Sequence, residues 1–179
     1  LARLDAGRPL ERAPVDLAAL AADGVSDAHA AAPDHRWVLD VPDDAPSAGT
    51  VVVGDENALR QVLANLLANA RVHTPPGTTV TTTVRPAGGA APGTVAVLVR
   101  DDGPGFPAEL ADRLFDRFTR ADAARSPGTG TGLGLAIADA VVRAHGGTIT
   151  ADGTPGATTF TVTLPVAGPA PPPPGGAAD

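Results

Sequence analysis

The chain contains no cysteine, which excludes a disulfide framework, a cysteine-bound zinc and a thiol nucleophile. It also contains no lysine, since all 13 basic residues are arginine. A Walker A loop needs Gly-Lys-Ser/Thr, so a P-loop nucleotide site is excluded, as is a lysine Schiff base. Aromatic residues are scarce, with one Trp, four Phe and no Tyr, so the core must be built mainly from Leu, Val and Ala. No apolar run approaches the roughly 18 residues of a membrane span, and no secretory leader pattern is present. The net charge is −7 with arginines scattered along the chain, which argues against general nucleic-acid binding. At 179 residues the expectation is one domain with tails, long enough to bury a core. The first residue is Leu, so the expectation is a piece of a longer chain.

The most informative stretch runs from Asp55 to Pro75, DENALRQVLANLLANARVHTP. At about 100° per residue, Leu59, Val62, Leu63, Leu66, Leu67 and Ala70 share one face of a helix. Asp55 is its expected N-cap, and Pro75-Pro76-Gly77 stops it. Asn65 and Asn69 are four apart and stack along the border of the apolar face. Asn is a mediocre helix former because its side chain competes for backbone bonds, so two in mid-helix suggest a use. An uncharged amide oxygen suits Mg²⁺ held against phosphates that supply the charge. The alternative is an ordinary surface helix with two exposed amides.

Other elements follow from period and punctuation. Pro14 to Ala31 reads as a helix with Pro14 in its first turn, and Gly24 weakens it. His29 near its end reads as exposed or satisfied. His35 to Val41 alternates Trp37, Leu39 and Val41 as a strand, and Val51 to Val53 is a short strand. Thr78 to Arg85 and Thr94 to Arg100 form a hairpin. Pro107 to Phe118 reads as a helix, Thr119 to Thr131 as a mobile loop, and Gly132 to His145 as a helix closed by Gly146-Gly147. Thr148 to Ala151 and Thr158 to Leu164 make a last hairpin. Residues 168 to 179 are nearly all Pro, Gly and Ala, and are expected to be disordered. The order of elements suits a two-layer α/β (α+β) sandwich, with helices on one face of a mixed, mostly antiparallel sheet.

Two glycine-bearing turns remain. Asp101-Asp102-Gly103-Pro104-Gly105 follows a strand; its glycines permit close approach of a flat ligand, and its carboxylate suits an exocyclic amine such as adenine N6. A plain Asp-Gly turn is the alternative. Gly128-Thr129-Gly130-Thr131-Gly132-Leu133-Gly134-Leu135 opens a helix, where free backbone N–H groups make an anion site. It has no register of G-x-G-x-x-G, and no strand precedes it, so a dinucleotide fold is not indicated. Phosphate binding is favoured over a flexible linker, because linkers do not usually run into an apolar helix.

Taken together, NLLANARVHTPPG, DDGPGF, LFDRFTR and GTGTGLGLAIADAVVRAHGG resemble, in order and spacing, the catalytic ATP-binding domain of two-component sensor histidine kinases. That domain belongs to the group shared with DNA gyrase, the MutL repair ATPase and the heat-shock chaperone ATPase, and has the Bergerat-type ATP-binding fold. The resemblance covers about Ala13 to Leu164. It implies a domain over 13–166, preceded over 1–12 by the end of a dimerisation helix and followed over 167–179 by a tail. It implies that Asn65 and Asn69 hold Mg²⁺ against ATP and act as the catalytic pair. Asp101 would bind the adenine amine, with Gly103 and Gly105 shaping that wall. Phe115 and Phe118 would anchor the base of a lid, Thr119 to Thr131. Gly130, Thr131, Gly132, Leu133 and Gly134 would lie over the phosphates, and Thr159 would line the adenine side. His73 stands where the family often has Tyr or His, and would pack along the nucleotide or within the core.

Two departures matter. Val72 stands where the family often has Lys or Arg, and Arg71 projects roughly 160° from Asn69 on a helix, so it cannot take that place. Lid arginines Arg120 and Arg125 are therefore expected to meet the phosphate charge. None of the four histidines has the context of a phospho-acceptor. The implied partners are thus a histidine-bearing dimerisation domain and a response regulator, with no nucleic acid and no membrane contact by this segment. The implied location is cytoplasmic, with the parent kinase anchored in a bacterial membrane. A serine kinase and anti-sigma factor of the same fold, and a partner-binding module with a degenerate site, remain as alternatives.

Overall fold

The computed structural model describes residues 11–41, 49–87, 93–116 and 132–166. Its elements in order are β1 (Ala13–Asp16), α1 (Leu17–Ala31), β2 (Arg36–Asp40), β3 (Val51–Gly54), α2 (Glu56–His73), β4 (Thr79–Pro86) and β5 (Thr94–Asp101). A 3-10 helix (Ala108–Arg113), α3 (Gly134–Ala144), β6 (Thr148–Thr154) and β7 (Ala157–Pro165) follow. Five strands form one sheet in the order β2-β4-β5-β7-β6, and β1 pairs with β3 in a separate ribbon. The β2–β4 pairing is parallel and the other pairings in the large sheet are antiparallel.

Strand alternation sorts the sheet into two faces. Val80, Thr82 and Val84 of β4 and Phe160, Val162 and Leu164 of β7 are buried under the helices, while Thr81, Thr83, Thr161 and Thr163 on the opposite face are half-buried. The core joins Leu17 of α1, Leu66 of α2, Val142 of α3 and Phe160 of β7, all nearly inaccessible. The two-layer arrangement, with a mixed sheet covered on one face by helices, is the fold expected from the order of elements.

Three local expectations are corrected. The first helix begins at Leu17, not Pro14, because residues 13–16 pair with β3 and bury Val15 beside Val52. Pro14 is tolerated there on a two-stranded ribbon, and Asp16 becomes the N-cap, accepting from Ala18 N at 2.9 Å. Within α1, Gly24 has a packing use: a Cβ there would lie 3.2 Å from Leu67 of α2. The expected helix over 107–118 is a 3-10 segment of six residues without a side-chain cap. Of the apolar residues expected to share a face there, Leu110, Leu114, Phe115 and Phe118, the last lies outside the described residues, and Leu114 and Phe115 pack against the core. The final hairpin is longer than expected, β6 running on to Thr154 and β7 starting at Ala157.

Candidate functional site

Helix α2 forms as its pattern dictates. Leu59, Val62, Leu63, Leu66, Leu67 and Ala70 are all buried, and the Asp55 carboxylate caps the first turn by accepting from Ala58 N at 3.0 Å. Those hydrogen bonds to backbone hold the Asp55 carboxyl below the usual carboxylate range. Helix α3 lies antiparallel beside α2. At one end Asp55 N donates to His145 Nε2 at 3.0 Å, and at the other Asn65 Nδ2 donates to Gly134 O at 2.9 Å. The N-terminus of α3 is therefore brought to Asn65.

Among the described residues no side chain caps that N-terminus. Leu133 stands at the cap position and provides no side-chain hydrogen bond, so the first-turn N–H groups point at whatever occupies the space ahead of the helix. Gly132 has a left-handed backbone, φ 66°, which few other residues adopt. The two asparagines differ in engagement. Asn65 also accepts from Gln61 Nε2 at 2.9 Å, whereas the side-chain amide of the half-buried Asn69 makes no hydrogen bond to another described residue.

The same edge of α2 reaches the other turn. From Asn65 to His73 is eight residues, about 12 Å of helix. Asp101, at the end of β5, is 3% exposed. Its Oδ1 accepts from Gly103 N at 3.0 Å, and the Thr158 hydroxyl donates to it as well. Burial pushes the Asp101 carboxyl above its ordinary range, and these hydrogen bonds offset it only in part. His73 lies close enough to feel the Asp101 charge; crowding around its ring lowers its pKa despite that charge, although the residue is exposed overall.

Gly103 cannot carry a side chain here, because a Cβ would lie 2.6 Å from Thr74 Cγ2 and 2.8 Å from Asp101 Oδ1. Thr74 is the C-cap of α2. Its hydroxyl donates to Ala70 O at 2.7 Å, so it can only accept from buried His35 Nε2 at 3.0 Å. His35 Nδ1 in turn meets Asp34 Oδ1 at 3.0 Å, and the His35 ring stacks on Trp37 at 5.7 Å. This network holds the end of α2 against the turn. The contact between His35 and Thr74 spans 39 residues, so nothing in the local sequence pattern signals it.

Of the expected site residues, Asn65, Asn69, His73, Asp101, Gly103, Gly132, Leu133 and Gly134 line this edge and its two ends. Gly105 packs away from the edge, onto the β6–β7 hairpin. Phe115 packs edge-to-face on Phe160, with ring centroids 6.5 Å apart. Phe118, Arg120, Arg125, Gly130 and Thr131 lie outside the described residues, as do the rest of the expected lid and the C-terminal tail. Thr159 is corrected: it is paired with Arg100, on the threonine-rich outer face of the sheet. Thr158 is the residue paired with Asp101 and shares its face. The signal was available, since Phe160, Val162 and Leu164 inward put 158 inward too, and a slip of one residue reverses every face.

The donor set constrains any metal. Among the described residues no group of three His, Cys, Asp or Glu side chains could hold an ion. The two amides on α2 fit a cation that arrives with its own anionic ligands, as Mg²⁺ does with phosphates.

Comparison with known proteins adds an independent line. Residues 54–168 match the family described as Histidine kinase-, DNA gyrase B-, and HSP90-like ATPase. The chain is 55% identical over 169 residues to the probable sensor histidine kinase TcrY of Mycobacterium tuberculosis, covering 94% of this chain and 34% of that protein. It thus spans about a third of the length of that relative. Its fold matches the mycobacterial sensor histidine kinase MprB with a TM-score of 0.71 at 30% identity, over 86% of this chain and 97% of that one. It also matches full-length ShkA in complex with AMPPNP with a TM-score of 0.75 at 29% identity, over 93% of this chain and 34% of that one.

Proposed function

Because the chain belongs to the family of histidine kinase-, DNA gyrase B- and HSP90-like ATPases, as the ATP-binding catalytic domain of a sensor histidine kinase, we propose that it grips ATP·Mg²⁺ along the Asn65–Asn69–His73 edge of α2. The γ-phosphoryl is offered to a histidine on a separate dimerisation domain, and from there passes to an aspartate of a response regulator. The observation that carries this reading is the bridge: one helix edge joins an uncapped helix N-terminus, through the 2.9 Å bond between Asn65 and Gly134, to a buried carboxylate at Asp101.

Each residue then has a physical task. Ionised Asp101 accepts from the adenine exocyclic amine, a bond that discriminates against bases presenting a carbonyl there. The wall around it is closed by Thr74, Gly103 and Thr158. The α3 amides beyond Leu133 donate to phosphate oxygens. Asn69, whose amide is unengaged among the described residues, and Asn65 would supply the amide oxygens that hold Mg²⁺. A metal held there with the triphosphate would supply positive charge against its phosphates. Arg120 and Arg125, lid residues by resemblance, supply the remaining positive charge in place of Val72. If Arg120→Ala and Arg125→Ala together leave ATP affinity unchanged, that assignment fails. Catalysis is positioning and charge compensation rather than covalent chemistry by the protein.

Among the described residues no helix is long and apolar enough to cross a membrane. Cytoplasmic placement beneath a membrane-anchored parent, and the domain limits 13–166, are part of the proposal. Calorimetric titration with ATP and Mg²⁺ tests it. Binding in the micromolar-to-millimolar range common to enzyme substrates is expected, weakened by Asn69→Ala. Phosphorylation of an added dimerisation domain tests transfer. No heat with any adenine nucleotide would overturn the reading.

A further inference from the structure

We infer that Phe106 and Gly153 are a paired positioning device that sets the depth of the adenine wall; the inference rests on the ATP reading and names residues outside that reading's contact set. The segment from Asp102 to Pro107 has no regular secondary structure, so its shape must come from its neighbours. One side is held by β4, where Asp102 N donates to Thr79 O at 3.2 Å and Asp102 Oδ1 accepts from Thr79 N at 2.7 Å. The other side is held by the β6–β7 hairpin.

That second contact is unusually close. Gly105 has φ 75°, and a Cβ on it would run into the Thr154 and Ala157 carbonyls. Gly156 N donates to Pro104 O at 3.5 Å. The Phe106 ring lies directly on Gly153, where an added Cβ would come within 2.7 Å of three ring carbons. Gly153 sits inside strand β6, a place where glycine weakens a strand and marks close approach of another group. Phe106 is only half-buried and is not part of the hydrophobic core, so the fold gains little from the ring beyond this contact.

The register explains the consequence. Gly153 pairs with Thr158, and Thr158 pairs with Asp101, so the three form one cross-strand row. The chain leaves that row at Asp101, makes the turn, and returns to the row through the Phe106 ring on Gly153. The circuit is closed, and the size of residue 153 fixes how far the turn stands from the Thr158–Asp101 pair. A methyl at 153 lifts Phe106, and with it the turn backbone that carries Gly103 in the base wall.

The test uses Gly153→Ala, Phe106→Leu and the double variant, titrated with ATP and with adenosine at a temperature where melting shows each protein folded. Gly153→Ala is expected to weaken both ligands by the same factor, about ten- to hundred-fold as for a misplacement of about an ångström. The Mg²⁺ dependence of ATP binding should be unchanged. The double variant should bind tighter than Gly153→Ala, because the shorter side chain makes room for the methyl. A merely structural role would lower the melting temperature without that common factor or that rescue. If Gly153→Ala does not fold, Phe106→Leu and Phe106→Ala carry the test, and each should weaken both ligands. Wild-type protein that binds ATP alongside folded variants that bind within two-fold of it, or a double variant no better than the single, overturns the inference. Wild-type protein that binds no adenine nucleotide overturns the ATP reading instead.

Discussion

At Asp101–Gly105 the protein itself fills the space that side chains would need, whereas at Gly134, where α3 opens, the described residues leave room for one. A Cβ on Gly103 meets Thr74 and Asp101, and one on Gly105 meets the β6–β7 backbone; a Cβ on Gly134 would only touch Asn65 at 3.6 Å, an ordinary van der Waals contact. The first turn is thus glycine-rich because of its own packing. At Gly134 the described residues make no such demand, and under the proposed reading the missing side chain leaves room for the phosphates. One motif type answers to tertiary packing at one end of the site and, under the proposed reading, to ligand at the other.

The sharpest way to break this contrast is a pair of alanine substitutions with opposite effects. Gly105→Ala adds a strained left-handed residue and a backbone clash, and should destabilise the free protein by about 2–4 kcal/mol in denaturant unfolding. Gly134→Ala should leave the free protein as stable or up to about 1 kcal/mol more stable, since alanine is the better helix residue, yet weaken ATP binding. If both variants destabilise alike, the distinction between the turns is wrong.

Asp101→Asn comes next in size. Burial raises the Asp101 carboxyl above its unfolded value of about 3.9. The folded state therefore binds the proton more tightly, and stability falls as pH rises from the unfolded value through the raised one. Above that window the ionised carboxylate is a standing cost to the fold, which a ligand amine would offset. Asp101→Asn should keep or raise the melting temperature at neutral pH while costing about 1.5–3 kcal/mol of adenine-nucleotide binding, the worth of a hydrogen bond to a charged group. A melting temperature that drops sharply would mean the carboxylate serves the fold.

Asn69→Ala should lower ATP affinity by about ten-fold in the presence of Mg²⁺ and change little without it. Its melting temperature should stay near that of the parent, because the Asn69 side chain has no hydrogen bond to another described residue to lose. Asn65→Ala should cost stability as well, since it frees Gly134 O and Gln61. The smallest effect belongs to His73, whose pKa is lowered by partial burial. Its share of stability is present above the unfolded value of about 6.5 and is lost as pH falls through the lowered folded value. His73→Gln should flatten that acid decline slightly in pH-dependent melting, only slightly because the residue is exposed and screened.

How much was legible depended on the range of the interaction. Helix α2 could be read whole, because six apolar positions at helical spacing and an Asp N-cap are local facts. Asn65 and Asn69 came with it, since their stacking follows from the same geometry. The start of α1 was misread because Pro14 suits both a helix start and an edge strand, and only pairing with β3 chooses between them. The resemblance puts Thr159 on the adenine side, whereas Thr158 pairs with Asp101, because a strand's two faces differ by one residue and the register is set across strands. The apolar spacing after Pro107 is helical, yet the segment Ala108–Arg113 is a 3-10 helix, a difference of hydrogen-bond register that the spacing does not decide.

The amino-acid order by itself determined the elements of the site: an amphipathic helix with two amides on its border, a carboxylate ahead of glycines, and a glycine run opening a helix. These rest on periodicity, capping and backbone freedom within a few residues. Tertiary structure alone decided that α3 lies antiparallel to α2 so that Gly134 meets Asn65. It alone decided that Thr74 is held by His35, that Thr158 rather than Thr159 faces Asp101, and that Phe106 rests on Gly153. The physical reason is that steric exclusion, cross-strand register and hydrogen bonds to buried groups act between residues that are distant in the chain, and no local pattern encodes which of them will meet.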